Sequence, residues 1–179
     1  LALTVINSID ASCYSICDGV IEVEASGGKP YINPSGLSIY SYQWNDTLLQ
    51  DETSVLGLCV DSFSLSSTFT CIVTDAQGCT DTVSETIIQP EELIITASIL
   101  DDISCNGGND GKLTADVTGG TPGYNFIWNN NDTTSTINTV SEGHYTVSVT
   151  DGKACMDTTA IYLPEPSALS ITIDTNLIT

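Results

Sequence analysis

The residues of this 179-residue chain that could do covalent chemistry are its seven cysteines. Cys13 and Cys79 bracket the first half of the chain, and Cys105 and Cys155 bracket the second half. Disulfides that close such long loops would each stabilise the fold by ~4 kcal/mol in the loop-entropy estimate. We therefore predict the bonds Cys13–Cys79 and Cys105–Cys155, and an oxidising, extracellular setting for the chain.

Three further cysteines, Cys17, Cys59 and Cys71, belong to the first half alone. One pair is expected among them, and Cys59–Cys71 is the pair closest in sequence. The seventh cysteine is then either a thiol or bonded outside this chain. No CxxC motif is matched by a second CxxC or by a CxxH, so the spacing does not favour a zinc site.

Four aspartates recur at matched turns and are the candidates for a calcium site: Asp18, Asp75, Asp110 and Asp151. Ca²⁺ takes several oxygen ligands from flexible loops, but the sequence lacks the spacing of an EF-hand loop. Aspartate also favours turns because its side chain accepts hydrogen bonds from nearby backbone N–H groups. We favour the turn role and expect no cofactor, with calcium as the open alternative.

Catalytic chemistry has little support in the sequence. The single histidine, His144, lies in the turn Glu142-Gly143-His144, where a solvated turn residue is the expected role. The sequence contains no Gly-x-Ser-x-Gly elbow, no phosphate-binding loop and no HExxH motif. We predict that the chain is not an enzyme.

Composition narrows the choice of partners. Three Lys or Arg residues stand against 23 Asp and Glu residues, which gives a formal charge of −20. Because so few cations could neutralise phosphate, nucleic acid and anionic membranes are improbable partners. No apolar run approaches the ~20 residues of a membrane-spanning helix, so we expect no membrane insertion. The abundance of Ser, Thr, Val and Ile favours β-strands.

Two stretches with the same pattern organise the chain, at residues 70–82 and 146–158. Each alternates apolar and polar residues, turns at Asp75 or Asp151, and resumes with Cys, Asp and Thr. Alternation around a short turn that contains glycine is typical of a β-hairpin. Two such hairpins at equivalent places in longer similar segments indicate a tandem repeat.

The first strand of each copy sets the repeat boundaries. Leu1-Ala-Leu-Thr-Val5 is matched by Leu93-Ile-Ile-Thr-Ala97 and by Leu169-Ser-Ile-Thr-Ile173. We predict three parts: a repeat with two insertions over residues 1–90, a second repeat over 91–166, and the first strand of a third over 167–179. We expect residues 169–179 to pack little against the second repeat. The insertions, around residues 32–39 and before Phe69, are expected to form surface loops.

Matched strands inside each repeat predict the fold class. An aromatic strand ends at Trp44 in one copy and at Trp128 in the other, inside an apolar face that favours the core over carbohydrate stacking. About seven short strands with a buried Trp on the third predict an all-β fold of tandem immunoglobulin-like antiparallel β-sandwich modules. In such a sandwich Cys105 and Cys155 would lie at opposite poles. A bond between Cys13 and Cys155 therefore stays open as an alternative.

Both copies contain the same motifs in the same order: Cys-x4-Asp-Gly, Gly-Gly-x-Pro, Tyr-x-Tyr/Phe-x-Trp, Tyr/Phe-Thr-x-x-Val-Thr-Asp, Cys-x-Asp/Ala and Pro. This order resembles the SprB repeat, which occurs in giant surface adhesins of gliding Bacteroidota. The resemblance covers nearly the whole chain. It implies tandem β-sandwich modules in long filaments, export by type IX secretion, and roles in adhesion and gliding motility. The insertions of the first repeat and its cysteines Cys17, Cys59 and Cys71 depart from the family pattern.

We therefore expect a structural segment of a long, secreted, cell-surface adhesin filament, whose modules hold a binding tip away from the cell. The expected partners are neighbouring repeats of the same chain or filament, and an external surface or glycans. Two alternatives stay open. One is a glycan- or protein-binding module that acts through first-repeat loops carrying Tyr31 or Phe63. The other is a subunit of a non-covalently polymerised surface fibre.

Four Asp-Thr sequences resemble the O-glycosylation sequon of Bacteroidota, and their candidate residues are Thr47, Thr82, Thr133 and Thr158. Alternation places Thr82 on one face of its strand with Thr80, Ser84 and Thr86. That face is polar, so we expect it to be solvated. Modification of at least one of the four threonines is a hypothesis of the sequence.

Overall fold

The computed structural model describes residues 1–45 and 52–173, and the described residues form an all-β protein. The chain divides into two compact units, Leu1–Glu92 and Leu93–Thr179. Each unit contains two three-stranded antiparallel sheets. The predicted immunoglobulin-like sandwich fold is confirmed, with six strands in the two sheets of each unit within the described residues.

Unit 1 pairs its strands in two main sheets of order β1-β2-β6 and β5-β7-β8, with a separate hairpin β3-β4. Its strands are β1 (Ala2–Ile9), β2 (Gly19–Ser26), β3 (Tyr31–Ile32), β4 (Ser38–Ile39), β5 (Ser41–Trp44), β6 (Ser54–Leu58), β7 (Ser66–Thr74) and β8 (Thr80–Ile88). The long hairpin β7–β8, in which Thr74 pairs with Thr80, is the one that the alternating sequence predicts.

Unit 2 repeats this topology without the small hairpin, in sheets of order β9-β10-β12 and β11-β13-β14. Its strands are β9 (Ile94–Asp101), β10 (Gly111–Thr118), β11 (Asn125–Trp128), β12 (Thr136–Val140), β13 (Gly143–Thr150) and β14 (Met156–Leu163). The second predicted hairpin is β13–β14, which closes with the pair Thr150 and Met156.

Each core lies between the two sheets of its unit, because alternate strand residues point inward. Trp44 and Trp128 are each 2% exposed. Their indole N–H groups donate to the carbonyl oxygens of Glu52 (3.0 Å) and Thr134 (2.9 Å). A buried indole that is packed and hydrogen-bonded has no face left for a sugar ring, so the predicted core role of both residues is confirmed.

The glycines after Asp18 and Asp110 begin strands and mark a close approach of the two sheets. A Cβ on Gly19 would lie 2.9 Å from Ile87 Cγ2, and one on Gly111 would lie 2.6 Å from Leu163 Cδ2 and 2.9 Å from the Val140 carbonyl oxygen. The last strand of each unit, β8 or β14, therefore packs closely over this glycine.

We name the two ends of each sandwich by the path of the chain, which enters a unit at its entry pole and leaves it at its exit pole. The entry pole of unit 1 contains Leu1, Gly28 and the hairpin turn that begins at Asp75, which lie together. Its exit pole contains Gly19 and the end of β8, where the Ala11 N–H donates to the Ile88 carbonyl (3.0 Å). The chain thus enters each unit at one pole and leaves it at the other.

The same arrangement defines the poles of unit 2. Its entry pole contains Leu93, Gly120 and Asp151, and its exit pole contains Gly111 and Leu163. Both units therefore place the β7–β8 or β13–β14 turn at the entry pole, and the loop before β2 or β10 at the exit pole.

The first insertion of unit 1 differs from its prediction as a loop. Tyr31 pairs with Ile39 and Ile32 with Ser38 across the turn, which the Asn33 carboxamide oxygen closes by accepting from the N–H groups of Ser35 (3.0 Å) and Leu37 (2.9 Å). This asparagine-centred turn gives the insertion the form of a short exposed hairpin.

The predicted first strand of a third repeat is not formed within residues 167–173, and its remainder, 174–179, lies outside the described residues. Leu169, Ile171 and Ile173 are 93%, 83% and 84% exposed. A strand needs a neighbour for its backbone N–H and C=O groups. The assignment of residues 167–179 to a third repeat stays a prediction.

We predict that Gly111→Ala lowers the free energy of unfolding of unit 2 by ~1–3 kcal/mol, because the new methyl group must displace Leu163 or the Val140 carbonyl. Urea unfolding followed by the fluorescence of Trp128, in a Trp44→Phe background, measures the change. Gly143→Ala is the matched control, since its Cβ would meet only the Tyr145 ring at 3.8 Å. Equal effects of the two substitutions would contradict the close approach.

Candidate functional site

The side chain of Asp75 ties two segments together at the entry pole of unit 1. Its Oδ1 accepts from the N–H groups of Gln77 and Cys79, each at 2.9 Å, within the hairpin turn. Its Oδ2 accepts from the N–H of Lys29 (2.9 Å), in the turn after β2. Asp75 is 1% exposed, so a single carboxylate joins the hairpin of one sheet to a turn of the other.

Asp151 does the same in unit 2. Its Oδ1 accepts from the N–H groups of Lys153 (2.8 Å) and Cys155 (2.9 Å), and its Oδ2 accepts from the N–H of Thr121 (2.7 Å). The residue is 3% exposed. Both carboxylates therefore use their acceptor capacity on backbone donors.

These hydrogen bonds favour the ionised carboxylates. The Lys29 N–H, followed by those of Cys79 and Gln77, lowers the pKa of Asp75 below its ordinary value. Burial acts to raise the pKa of Asp151, but the N–H groups of Thr121, Cys155 and Lys153 outweigh it, so this pKa is also lowered. The negative charge of each carboxylate is therefore balanced by the partial positive charges of these backbone N–H groups.

The other two calcium candidates serve the exit poles. Asp18 Oδ1 accepts from the Ser12 N–H (2.9 Å), and Asp110 Oδ1 accepts from the Ser104 N–H (3.1 Å). Hydrogen bonds from the side chain and the N–H of Ser104 lower the pKa of Asp110. The four aspartates thus occupy opposite poles in pairs and cap backbone turns.

Within residues 1–45 and 52–173, no group of three or more His, Cys, Asp or Glu side chains is placed to hold a metal ion. The backbone contacts of the four aspartates support the turn role that the sequence favours. Calcium binding stays an open alternative.

A second tie, at the exit poles, is one that sequence reasoning missed. The side chain of Gln89, 4% exposed, accepts from the Ser15 N–H (2.8 Å), and Glu165 at the matching place accepts from the Gly107 N–H (2.6 Å). Ser15 and Gly107 both have positive φ, at 57° and 75°. The sequence feature that could have indicated this tie is the matched pair Gln89-Pro90 and Glu165-Pro166, which follows the last strand of each unit.

The cysteine pairing predicted from sequence is wrong in three respects. Cys79 and Cys105 are exposed thiols, so neither Cys13–Cys79 nor Cys105–Cys155 is formed. Cys59 is bonded to Cys17 and not to Cys71, which is a buried thiol. Cys13 and Cys155 are disulfide-bonded.

Topology gives the physical reason for each difference. Cys79 and Cys155 lie at the entry poles, whereas Cys13 and Cys105 lie in the loops of the exit poles, so a bond within one unit would have to span the length of a sandwich. Cys17 lies two residues before Gly19, and Cys59 directly follows Leu58. Because Gly19 and Leu58 are an antiparallel pair, the two cysteines lie at the same end of the strands, with their Cα atoms 4.2 Å apart.

Cys71 occupies the core of unit 1 on β7, opposite Trp44 and Val83 on the neighbouring strands. Its place in unit 2 is taken by Val147, which is also fully buried. Burial raises the pKa of the Cys71 thiol to about 11. Because the thiolate is the reactive form, this cysteine acts as a small apolar core residue.

The predicted glycosylation sites are on the surface where the structure describes them. Thr82, Thr133 and Thr158 are exposed, and Thr47 lies outside the described residues. The polar face of β8 is solvated, as predicted, and carries cross-strand hydrogen bonds between the hydroxyls of Thr86 and Thr68 (3.0 Å) and of Ser84 and Thr70 (2.9 Å). Glycosylation itself stays a prediction.

His144 is exposed on β13, and its ring lies 4.7 Å from that of Tyr162, centroid to centroid. The Tyr162 hydroxyl donates to Glu142, and that hydrogen bond is the main cause of the raised pKa of Tyr162. The histidine therefore packs against a surface tyrosine, with the two ring planes tilted by 39°.

Unit 1 also carries exposed apolar side chains on and near its insertions. Ile32 and Leu37 on the β3–β4 hairpin are 66% and 64% exposed, and Phe63 is 99% exposed. Beside the hairpin a groove of about 610 Å³ is lined by residues that include Ile39, Tyr40 and Glu52. The hairpin follows the entry-pole turn that contains Lys29, whereas Phe63 lies in the β6–β7 connection that Gln89 contacts at the exit pole.

A family model places the second unit among known proteins: residues 97–133, from the second half of β9 to just beyond β11, match the SprB repeat. This chain carries an SprB repeat. The resemblance stated from its motifs is confirmed over residues 97–133. No protein in the curated set matches the chain.

Solved structures with similar folds include a C-terminal 282-residue fragment of intimin in complex with the translocated intimin receptor, with 11% identity and a TM-score of 0.49. The alignment covers 90% of this chain and 64% of the fragment, so the chain spans less than two thirds of the fragment.

Two further structures align over 92% of this chain. The D00–D0 domain of intimin has 15% identity and a TM-score of 0.39, with 99% of it covered. The fibronectin(III)-like modules of Clostridium thermocellum CbhA have 11% identity and a TM-score of 0.37, with 95% covered.

We predict that acid weakens both units through Asp75 and Asp151. Because their folded-state pKa values are lowered, the stabilisation is present above the unfolded value of ~3.9 and is lost as pH falls through the lower, folded-state values. Asp75→Asn and Asp151→Asn should reduce the free energy of unfolding at pH 7 and flatten its fall between pH 5 and pH 2, roughly the span over which such carboxylates protonate.

Urea titrations at a series of pH values provide the measurement. Asp116→Asn, on an exposed position of β10, is the control and should leave stability at pH 7 nearly unchanged. An Asp151→Asn variant with the full acid dependence of the wild type would contradict the role given to that carboxylate.

We predict that iodoacetamide labels Cys79 and Cys105 in the folded protein and reaches Cys71 only after denaturation, because burial keeps the Cys71 thiol protonated. Mass spectrometry of non-reduced peptides should also show the Cys17–Cys59 bond. Fast labelling of Cys71 in the native state would contradict its core position. The alternative bond from sequence, Cys13–Cys155, stays a prediction that the same peptide map checks.

Proposed function

We propose that this chain is a load-bearing spacer segment of a secreted cell-surface adhesin, which holds a binding region away from the cell. The observation that carries the proposal is that both units fix their two poles with the same devices at matched positions. Asp75 and Asp151 tie the entry poles, and Gln89 and Glu165 tie the exit poles.

The placement of the chain ends supports a mechanical role. Because the chain enters and leaves each unit at opposite poles, tension on the chain acts along the strands of both sheets. Backbone hydrogen bonds between the antiparallel strands β1–β2 and β7–β8 then resist the load together. The buried side chains of Asp75, Asp151 and Gln89 accept hydrogen bonds from backbone N–H groups of turns and loops.

The SprB repeat of residues 97–133 supports the finer parts of the proposal. They are a long tandem filament, export by type IX secretion, and a role in gliding motility as well as adhesion. Disulfide formation fits an extracellular, cell-surface location. The acidic surface, with a formal charge of −20, keeps neighbouring filaments apart and soluble.

Single-molecule stretching between the chain ends tests the spacer role. In reducing buffer, which opens the disulfides, we expect two cooperative unfolding events, one for each unit, because each sandwich has its own core. Beads coated with the chain should be retained on glycan or cell surfaces no better than beads coated with an inert protein. Continuous extension without distinct events would contradict the load-bearing role.

A second candidate function, direct binding of a glycan or protein, is favoured by the exposed apolar residues of the β3–β4 hairpin. If it operates, beads coated with the chain are retained, and Ile32→Ser with Leu37→Ser abolishes the retention. Ile127→Ser is the matched control, since Ile127 is 58% exposed on a strand of unit 2. Retention that survives the hairpin substitutions contradicts this candidate.

A further inference from the structure

We propose that Cys105 and Cys79 are the two halves of a covalent end-to-end junction between units of this type. In this junction the Cys105 thiol of one copy forms a disulfide with the Cys79 thiol of a second copy, exit pole to entry pole. The inference rests on the proposed function, since it needs units that are arranged end to end.

The oxidation states of equivalent cysteines provide the first support. By repeat position, Cys105 is the counterpart of Cys13, and Cys79 is the counterpart of Cys155. Cys13 and Cys155 are disulfide-bonded, whereas Cys79 and Cys105 are exposed thiols. Each free thiol thus occupies a position that is oxidised in the other copy of the same repeat.

The exit-pole loop holds Cys105 in the same backbone geometry as its oxidised counterpart. The Gly108 N–H donates to the Cys105 carbonyl (2.9 Å), and the Ile16 N–H donates to the Cys13 carbonyl (3.2 Å). In unit 2 an aspartate, Asp110, caps the loop and Glu165 ties it to the closing strand, as their counterparts do in unit 1. The thiol is therefore presented by a fixed loop.

The hairpin turn holds Cys79 as it holds Cys155. The Asp75 N–H donates to the Cys79 carbonyl (3.0 Å), and the Cys79 N–H donates to Asp75 Oδ1 (2.9 Å). The same two hydrogen bonds join Asp151 and Cys155, each at 2.9 Å. The preceding residue has positive φ in both turns, 81° at Gly78 and 67° at Ala154. The same carboxylate that ties the entry pole thus sets the direction of the cysteine.

The positions of the two thiols decide the kind of partner. Cys105 lies at an exit pole and Cys79 at an entry pole, so a disulfide between them joins unlike surfaces. Such a head-to-tail contact is heterologous, so it leaves an unused thiol at each end of the dimer and can be repeated from copy to copy. A junction between two Cys105 or two Cys79 residues would reverse the direction of the chain at every link.

The chemistry balances as a two-electron oxidation. The two S–H bonds break, one S–S bond forms between the Sγ atoms of Cys105 and Cys79, and two protons leave with two electrons. A low-molecular-weight disulfide accepts the electrons and is reduced to two thiols by thiol–disulfide exchange. An oxidising extracellular compartment provides such an acceptor.

Charge sets the conditions of the test. Asp81 lies two residues after Cys79, and Glu165 lies against the loop of Cys105, so the two poles repel each other at low ionic strength. At about 1 M salt the Debye length falls to roughly 3 Å, which screens this repulsion. The junction should therefore form faster in high salt.

A complementation experiment tests the proposal with the full chain. Cys79→Ser and Cys105→Ser variants are incubated separately and mixed, with oxidised glutathione in 1 M NaCl, roughly the ionic strength at which exposed charges are well screened. On non-reducing gels the mixture should give several-fold more dimer than either variant alone, with a Cys79–Cys105 peptide by mass spectrometry. The wild type should give a ladder, and Cys71→Val should leave that ladder unchanged.

Three outcomes would overturn the proposal: no dimer above the single variants in the mixture, symmetric dimers in either single variant at the rate of the mixture, or a dimer whose peptides lack Cys79–Cys105. The stretching experiment is done in reducing buffer and is blind to this bond. A chain that unfolds in two events and never cross-links therefore refutes the junction alone, and one that cross-links but extends without events refutes only the spacer role.

Discussion

A single buried carboxylate at each entry pole is the interaction on which the rest of each unit depends. In a two-sheet sandwich the sheets are joined by side-chain packing, and their turns are free to separate at the ends. Asp75 and Asp151 prevent this, because each accepts hydrogen bonds from N–H groups on both sides of the core. Hydrogen bonds to an ionised acceptor are stronger than those to a neutral one. In Asp151 they outweigh the cost of burying the charge.

The exit poles solve the same problem with a different residue. Gln89 and Glu165 come directly before the prolines that end the repeats, so the side chain that ties the loop is also the last one before the chain leaves. A loop residue with positive φ presents its N–H to this side chain in both units. Both ends of each unit are therefore fixed by side chains that accept hydrogen bonds from the backbone.

The sequence pattern predicted the structural features that depend on residues close together in the chain. Alternation identified the two hairpins, and matched apolar faces placed Trp44 and Trp128 in the core. The disulfides could not be predicted in this way, because pairing depends on the pole at which each cysteine lies. Cys17 and Cys59 are 42 residues apart and meet only because β2 and β6 are neighbours in one sheet. The side chain of Gln89 was missed since its partners come from distant loops.

The difference between Gln89 and Glu165 shows how a repeat accommodates an insertion. In unit 2 residues 141–142 connect β12 to β13, and in unit 1 residues 59–65 connect β6 to β7. The longer connection adds carbonyl groups that need donors, and the Gln89 amide donates to those of Asp61 (3.3 Å) and Ser64 (2.8 Å). A carboxylate could not do this, since it only accepts. Together with Cys17–Cys59, which fastens the start of the connection, the amide lets unit 1 carry a longer surface segment without loosening its exit pole.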